Sequence, residues 1–84
     1  PMCTSCTFLI VPNRACAGRN ELNNELGTGA KPLATAQALC LAEPTCVSFE
    51  TLGSNHGAFR FSSSCTEGFL TPHGGYIAYI KQCT

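Results

Sequence analysis

The chain has 84 residues, and its five lysines and arginines balance five glutamates, so its formal net charge is zero at pH 7. A chain of this length forms one domain whose apolar core alone is marginally stable. Its cations are scattered, which argues against nucleic acid as a partner, because phosphate binding needs clustered positive charge. The longest apolar stretch, residues 8–11, is far shorter than the roughly 20 residues of a membrane helix, so no membrane span is expected.

Seven of the 84 residues are cysteine, close to the roughly 8–10% that marks a short chain as a disulfide scaffold. So many thiols in a reduced chain would be prone to misoxidation. We therefore expect a secreted or extracellular protein, formed in an oxidising compartment. The start of the chain has neither the basic stretch nor the apolar core of a signal peptide, so residues 1–84 are expected to be one mature module.

The first half of the chain predicts one strand and one helix. Residues 7–11 are apolar and β-branched, which is typical of a strand, and a Pro-Asn pair follows them. Residues 15–22 could hold a short second strand, and residues 23–31 are expected to be a loop. Residues 32–43 are rich in Ala and Leu between two prolines, which predicts a helix. One helix face should lie on a sheet, and it comprises Leu33, Ala36, Leu39 and Cys40.

The second half predicts a β-hairpin. Residues 46–52 alternate in polarity, residues 53–57 are rich in turn formers, and residues 58–61 return as a second strand. Side chains alternate between the faces of a strand, so Phe59 and Phe61 should face the core and Arg60 the opposite side.

The C-terminal part predicts one further strand. Residues 65–70 either continue the hairpin or add a strand, residues 71–75 should break the chain, and residues 76–83 should form the closing strand. The expected fold is therefore a small α+β module in which an antiparallel sheet of about five strands carries one α-helix. Four apolar side chains are assigned to packing: Phe8, Phe49, Leu52 and Phe69.

Two segments of the chain are distinctive: the helix end with the following strand, ALCLAEPTCVSFE at residues 38–50, and the closing YIKQC at residues 79–83. Together they resemble the PAN/apple family. The resemblance extends from Cys6 to Cys83 and implies the α+β fold described above, made disulfide-rich. Members occur in vertebrate plasma proteins and in secreted adhesins of apicomplexan parasites. The composition, rich in Ala, Thr and Gly, suits the parasite proteins at least as well, so we expect a module of a micronemal adhesin.

The resemblance implies two disulfides. In the family an opening cysteine pairs with the closing one, which corresponds here to Cys6–Cys83. A cysteine of the helix pairs with the one just after the helix, which corresponds to Cys40–Cys46.

A third family bridge departs from the pattern. It joins a cysteine one turn earlier in the helix to a strand cysteine, but the helix position is Ala36 here, while Cys65 matches the strand position. The extra Cys16 is the expected replacement, which gives a Cys16–Cys65 bridge. Cys3 then stays open: it is free, pairs with a neighbouring module, or competes with Cys6 for the closing cysteine, because seven cysteines cannot all pair within one chain.

The remaining reactive residues do not form a catalytic pattern. The Cys3-x-x-Cys6 pair could be a redox or zinc motif, but there is no second such pair and no βαβ unit, so a structural disulfide end is expected. His56 and His73 lie in Gly-rich turns and are expected to be solvated, since the sequence contains no Asp to orient a catalytic histidine. We expect no enzyme activity, no metal and no cofactor. Two carboxylates are expected to be exposed: Glu50 and Glu67.

The resemblance implies extracellular recognition. We expect an adhesion module that binds a protein ligand or host-cell receptor, with neighbouring modules in a longer secreted protein. A galactose-type lectin and a structural spacer are the alternatives. Arg60, with His56 and Tyr76 or Tyr79 near it, could contact an acidic or sugar ligand; otherwise it is an ordinary solvent-facing strand arginine.

Overall fold

The computed structural model describes residues 5–52 and 56–84, and of His56 the backbone alone. Within these residues one antiparallel five-stranded sheet has the order β1-β5-β3-β4-β2. The strands are β1 Cys6–Ala15, β2 Ala30–Pro32, β3 Ser48–Leu52, β4 His56–Ser62 and β5 Thr71–Cys83. Three helical elements accompany them: the single turn α1 Asn23–Leu26, the helix α2 Leu33–Ala42 and a 3-10 turn, Glu67–Phe69.

The helix α2 packs on one face of this sheet. Ala36 and Cys40 are fully buried, and Leu33 and Leu39 are partly buried against the core, so the predicted helix face is confirmed. The loop predicted at residues 23–31 is wrong in part, because it contains α1 and the short strand β2. Of the helices described, none is long and apolar enough to cross a membrane.

Phe49 of β3 lies at the centre of the core. Four aromatic rings surround its ring, with centroid distances from 4.8 to 5.7 Å. They belong to Phe8, Phe59, Phe61 and Tyr79. The prediction that Phe59 and Phe61 face the core, with Arg60 exposed on the other side, is confirmed.

Two predicted packing residues lie outside this core. Leu52 is 62% exposed because it ends β3 on the face away from α2, and Phe69 is 48% exposed in the 3-10 turn. The guanidinium of Arg19 lies 3.8 Å from the centroid of the Phe69 ring, so that ring contacts a cation instead of the apolar core.

The observed strand boundaries differ most from the predicted ones in the ribbon formed by the paired strands β1 and β5. The first strand does not stop at residue 11 but continues to Ala15, and no strand follows at residues 16–22. The closing strand begins at Thr71, and residues 65–70 contain the 3-10 turn where a strand was considered. The residues predicted to break β1 and β5 instead form a bulge inside one long paired ribbon. Beyond this bulge, β5 pairs with β1 again at Pro72.

Three disulfides cross-link the part of the chain that the structure describes. Cys6–Cys83 joins directly paired positions of β1 and β5, Cys16–Cys65 joins the loops that follow β1 and β4, and Cys40–Cys46 joins the end of α2 to the segment before β3. Cys6–Cys83 and Cys40–Cys46 are the pairs that the family resemblance implies, and Cys16–Cys65 is the expected replacement for the third family bridge. Cys3 lies outside the described residues, so its pairing stays open. A small α+β chain with three disulfides fits a secreted or extracellular protein.

Candidate functional site

A cavity of about 190 Å³ lies on the sheet face opposite α2. Its floor comes from β3 and β4, one wall from the loop after β1, and the other wall from the start of β5. Five polar residues line it: Asn20, Glu50, Arg60, His73 and Tyr76. Cys16 also lines it and belongs to the loop that covers it.

Glu50 and Arg60 occupy directly paired positions of β3 and β4. Glu50 is only 4% exposed, and its carboxylate accepts a hydrogen bond from the backbone N–H of Cys16 at 2.5 Å. Burial raises the pKa of this carboxyl, while the bond from Cys16 and the charge of Arg60 oppose the rise. The prediction that Glu50 is exposed is therefore wrong, because the loop held by Cys16–Cys65 covers this face of the sheet.

The bulge in β5 supplies the second wall. Between the pairs Pro12–Ile77 and Arg14–Pro72, the single residue Asn13 of β1 lies opposite residues 73–76 of β5. This excess of residues on one strand turns the chain outward and places His73 and Tyr76 at the cavity, with their ring centroids 4.3 Å apart.

Backbone conformation explains why this bulge needs its sequence. Asn13 and Gly75 both have positive φ angles, 60° and 85°, which favour Asn and Gly. The N–H of Gly75 donates to Asn13 Oδ1 at 3.3 Å. A Cβ on Gly75 would also lie 3.2 Å from Cδ1 of Leu52, so a larger residue there would require the Leu52 side chain to shift.

The loop wall carries a buried acceptor. Oδ1 of Asn20 is buried and has no hydrogen-bond partner in the described structure. Leaving such an atom unpaired costs about 1–3 kcal/mol of stability.

Glu21 holds this loop in place. Its carboxylate accepts hydrogen bonds from the hydroxyls of Ser64 and Ser62 and from the N–H of Ser63, the last two at 2.9 and 3.1 Å. The bond from Ser64 contributes most to lowering the pKa of Glu21 to about 2. These bonds and the Cys16–Cys65 disulfide connect the loop after β1 to the end of β4 and the loop that follows it.

The sequence located only part of this site. Arg60 and Tyr76, both predicted as ligand contacts, do line the cavity. His56 pairs with Pro32 at the β4–β2 edge, and its side chain lies outside the described part, so its role stays a prediction. Tyr79, the alternative to Tyr76, is buried on the α2 face and stacks on Phe49.

Three cavity residues were missed as contacts: Asn20, Glu50 and His73. Glu50 could have been found, because strand alternation places it on the same face as the cross-strand residue Arg60. Neither Asn20 nor His73 carries a local signal, since a disulfide-linked loop and a bulge bring them to the site. His73 is exposed, as predicted.

The residues that line the cavity carry both donors and acceptors of hydrogen bonds. Arg60, His73 and Tyr76 present hydrogen-bond donors, while Asn20 and Glu50 present acceptors. Among residues 5–52 and 56–84, no three His, Cys, Asp or Glu side chains cluster in a way that could hold a metal ion.

The substitution Glu50→Gln is expected to stabilise the fold at pH 7. A carboxyl whose pKa is raised on folding stabilises the fold below its unfolded pKa of about 4.3, and this contribution is lost as the pH rises through the folded value. Glutamine keeps an acceptor for the N–H of Cys16 but carries no charge to desolvate. Urea unfolding between pH 3 and about 8 should show a stability gain over the unsubstituted chain that increases with pH.

Glu21→Gln is a control that is expected to change the stability at pH 7 in the opposite direction. A carboxyl whose pKa is lowered to about 2 stabilises the fold above its unfolded pKa, and this contribution is lost as the pH falls toward 2. This variant should therefore be less stable than the unsubstituted chain at pH 7, with a difference that shrinks in acid. A Glu50→Gln variant that is also less stable at pH 7 would show that the ionised Glu50 stabilises the fold.

The chain is thus a small, disulfide-rich α+β protein with a polar cavity on one sheet face. No family model, no curated protein and no solved structure matches it. The PAN/apple resemblance accordingly rests on the residues quoted for it.

Proposed function

We propose that the chain is an extracellular recognition module of the PAN/apple type, which contributes to cell adhesion as one part of a larger secreted adhesin. The three disulfides support an extracellular location. The polar cavity supports recognition.

Two buried polar groups on residues that line the cavity carry this proposal. A buried carboxylate at Glu50 and an unpaired buried acceptor at Asn20 both lower the stability of the free chain. A structural spacer has no need of either group. Residues with polar groups that cost stability line one cavity, which is typical of ligand sites and favours recognition over the spacer.

The rim of the cavity favours a protein ligand. Tyr76 and the exposed Leu52 are paired neighbours on β5 and β3, beside Arg60. Tyr and Arg are the residues that most often dominate the binding energy of protein interfaces. A receptor on a host cell could cover the apolar rim and place a polar side chain in the cavity.

A carbohydrate ligand is the second candidate, and the cavity itself favours it. The volume of about 190 Å³ can accommodate a single sugar ring. Its lining residues include donors, Arg60 and Tyr76, and acceptors, Asn20 and Glu50, and the hydroxyl groups of a sugar can pair with both kinds. The ring of Tyr76 offers an apolar surface beside them.

Binding of the labelled chain to intact cells tests the proposal. Arg60→Ala should weaken binding by tenfold or more, the equivalent of about 1.4 kcal/mol or more. Arg14→Ala is the matched control, because Arg14 is an exposed β1 arginine that does not line the cavity. It should bind as the unsubstituted chain does.

Treatment of the cells distinguishes the two ligands. Binding that trypsin removes and glycosidases leave intact indicates a protein receptor. Binding that glycosidases remove, and that a glycan array reproduces, indicates the lectin. If the chain binds neither cells nor glycans, or if Arg60→Ala binds as well as Arg14→Ala, the proposed site is wrong.

A further inference from the structure

The two edges of the sheet are unequally protected against pairing with another chain. The β2 edge is three residues long and contains Lys31 and Pro32, and both short length and such residues discourage further pairing. The β1 edge is ten residues long, and its residues 7–11 contain neither charge nor proline. No strand of the described structure lies against the outer side of β1.

The hydrogen-bond pattern shows which backbone groups of β1 point outward. The N–H of Thr84 donates to the carbonyl of Ser5 at 2.9 Å, which sets the phase of the antiparallel ladder with β5. Along such a ladder the backbone groups of alternate residues point toward the neighbouring strand and away from it. The N–H and C=O groups of Phe8 and Ile10 are therefore directed away from β5.

The side chains of this edge are apolar as well. Phe8 and Ile10 share one face of β1, where the Phe8 ring packs against Phe49 at 5.2 Å between centroids. Ile10 is 60% exposed, although isoleucine is among the residues most often buried. A second strand placed beside β1 would cover it.

We propose that β1 pairs antiparallel with β1 of a second copy of the chain, about a two-fold axis at Leu9. In this register Phe8 of each copy lies opposite Ile10 of the other, and each such pair exchanges both of its backbone hydrogen bonds. Pro12 has no N–H, which ends the new ladder.

A second copy is the occupant that the sequence of this edge fits. The pairing places uncharged, β-branched and aromatic residues opposite each other, which are favourable cross-strand neighbours. The formal net charge of the chain is zero, so no long-range repulsion opposes self-association. A two-fold axis makes the contact closed, because one surface serves both copies.

The dimer has a consequence for recognition that does not depend on the identity of the ligand. An axis perpendicular to the sheet keeps the faces of both copies aligned, so two cavities open on the same side of one continuous sheet. Two linked sites raise the apparent affinity for a surface that carries many ligands. The pairing itself stands whether or not the cavity binds anything.

Sedimentation of the oxidised chain over a range of concentrations tests the pairing. At high concentration we expect twice the chain mass of 8.9 kDa. Ile10→Lys should leave a monomer, because it places a charge in the new ladder, while its exposed position leaves the fold intact. Leu41→Lys is the matched control: Leu41 is 45% exposed on α2 and is not part of the proposed ladder, so this variant should still dimerise.

Amide hydrogen exchange identifies the surface directly. The N–H groups of Phe8 and Ile10 should become protected as the chain concentration rises. A chain that remains monomeric at every concentration overturns the proposal. So does a dimer that survives Ile10→Lys, or protection of these two amides in the monomer, which would show that another segment of the same chain covers the edge.

Discussion

Replacing Cys6 and Cys83 together with alanine is expected to lower the free energy of unfolding by about 4 kcal/mol. The two cysteines are 77 residues apart, so their bond closes nearly the whole chain and removes much conformational entropy from the unfolded state. A chain of 84 residues has a total stability of roughly 4–13 kcal/mol. The loss is therefore between about a third and all of that stability, and urea titration followed by circular dichroism would measure it.

The double alanine variant at Cys40 and Cys46 is the matched comparison. These cysteines are only 6 residues apart, and the same entropic relation gives about 2 kcal/mol. The two variants distinguish the loss of loop-closure entropy from the loss of buried side-chain packing. Both members of the short bridge are buried, whereas Cys83 is exposed. If packing dominated, the short bridge would be the more costly one to remove, and that order would contradict our expectation.

Phe49→Ala is expected to destabilise the fold by about 3–5 kcal/mol. The side chain is fully buried at the centre of β3, and the four rings around it cannot all move inward to fill the space it leaves. Edge-to-face contacts with Phe8 and Phe59 and the stack on Tyr79 would be lost in addition to the buried area. Thermal and urea unfolding at pH 7 would measure the loss.

Phe69→Ala is the control for Phe49→Ala, because it removes a phenyl ring that lies outside the core. Phe69 is half-exposed and contacts the guanidinium of Arg19, so its removal should cost no more than about 1 kcal/mol. Similar losses for the two variants would mean that the aromatic cluster does not form the centre of the core.

β3 connects this core to the candidate site. Phe49 packs under α2, while the next residue, Glu50, points to the opposite face and forms the floor of the cavity. Thr51 returns to the core side, where its hydroxyl donates to the carbonyl of Ala58 at 2.9 Å. One strand thus holds the site rigidly, because its alternate side chains are anchored in the core.

Local sequence determined the helix and the hairpin. Ala and Leu between two prolines specify α2 within one residue at each end, since helix propensity and proline geometry act over a few residues. Alternation of apolar and polar residues over β3 and β4 was enough to place Phe59 and Phe61 in the core and Arg60 outside. The α+β class follows from these elements alone.

Contacts between distant segments decided the rest. Glu50 is buried because a loop linked by Cys16–Cys65 crosses above it, and the sequence around residue 50 contains no trace of that loop. The turn-forming residues near Asn13 and near Gly75 each predict the end of a strand. In the fold they form one bulge inside a paired ribbon. Propensity and periodicity report on neighbours along the chain, whereas the cavity of this protein is built from residues up to about 60 positions apart, which only the folded structure brings together.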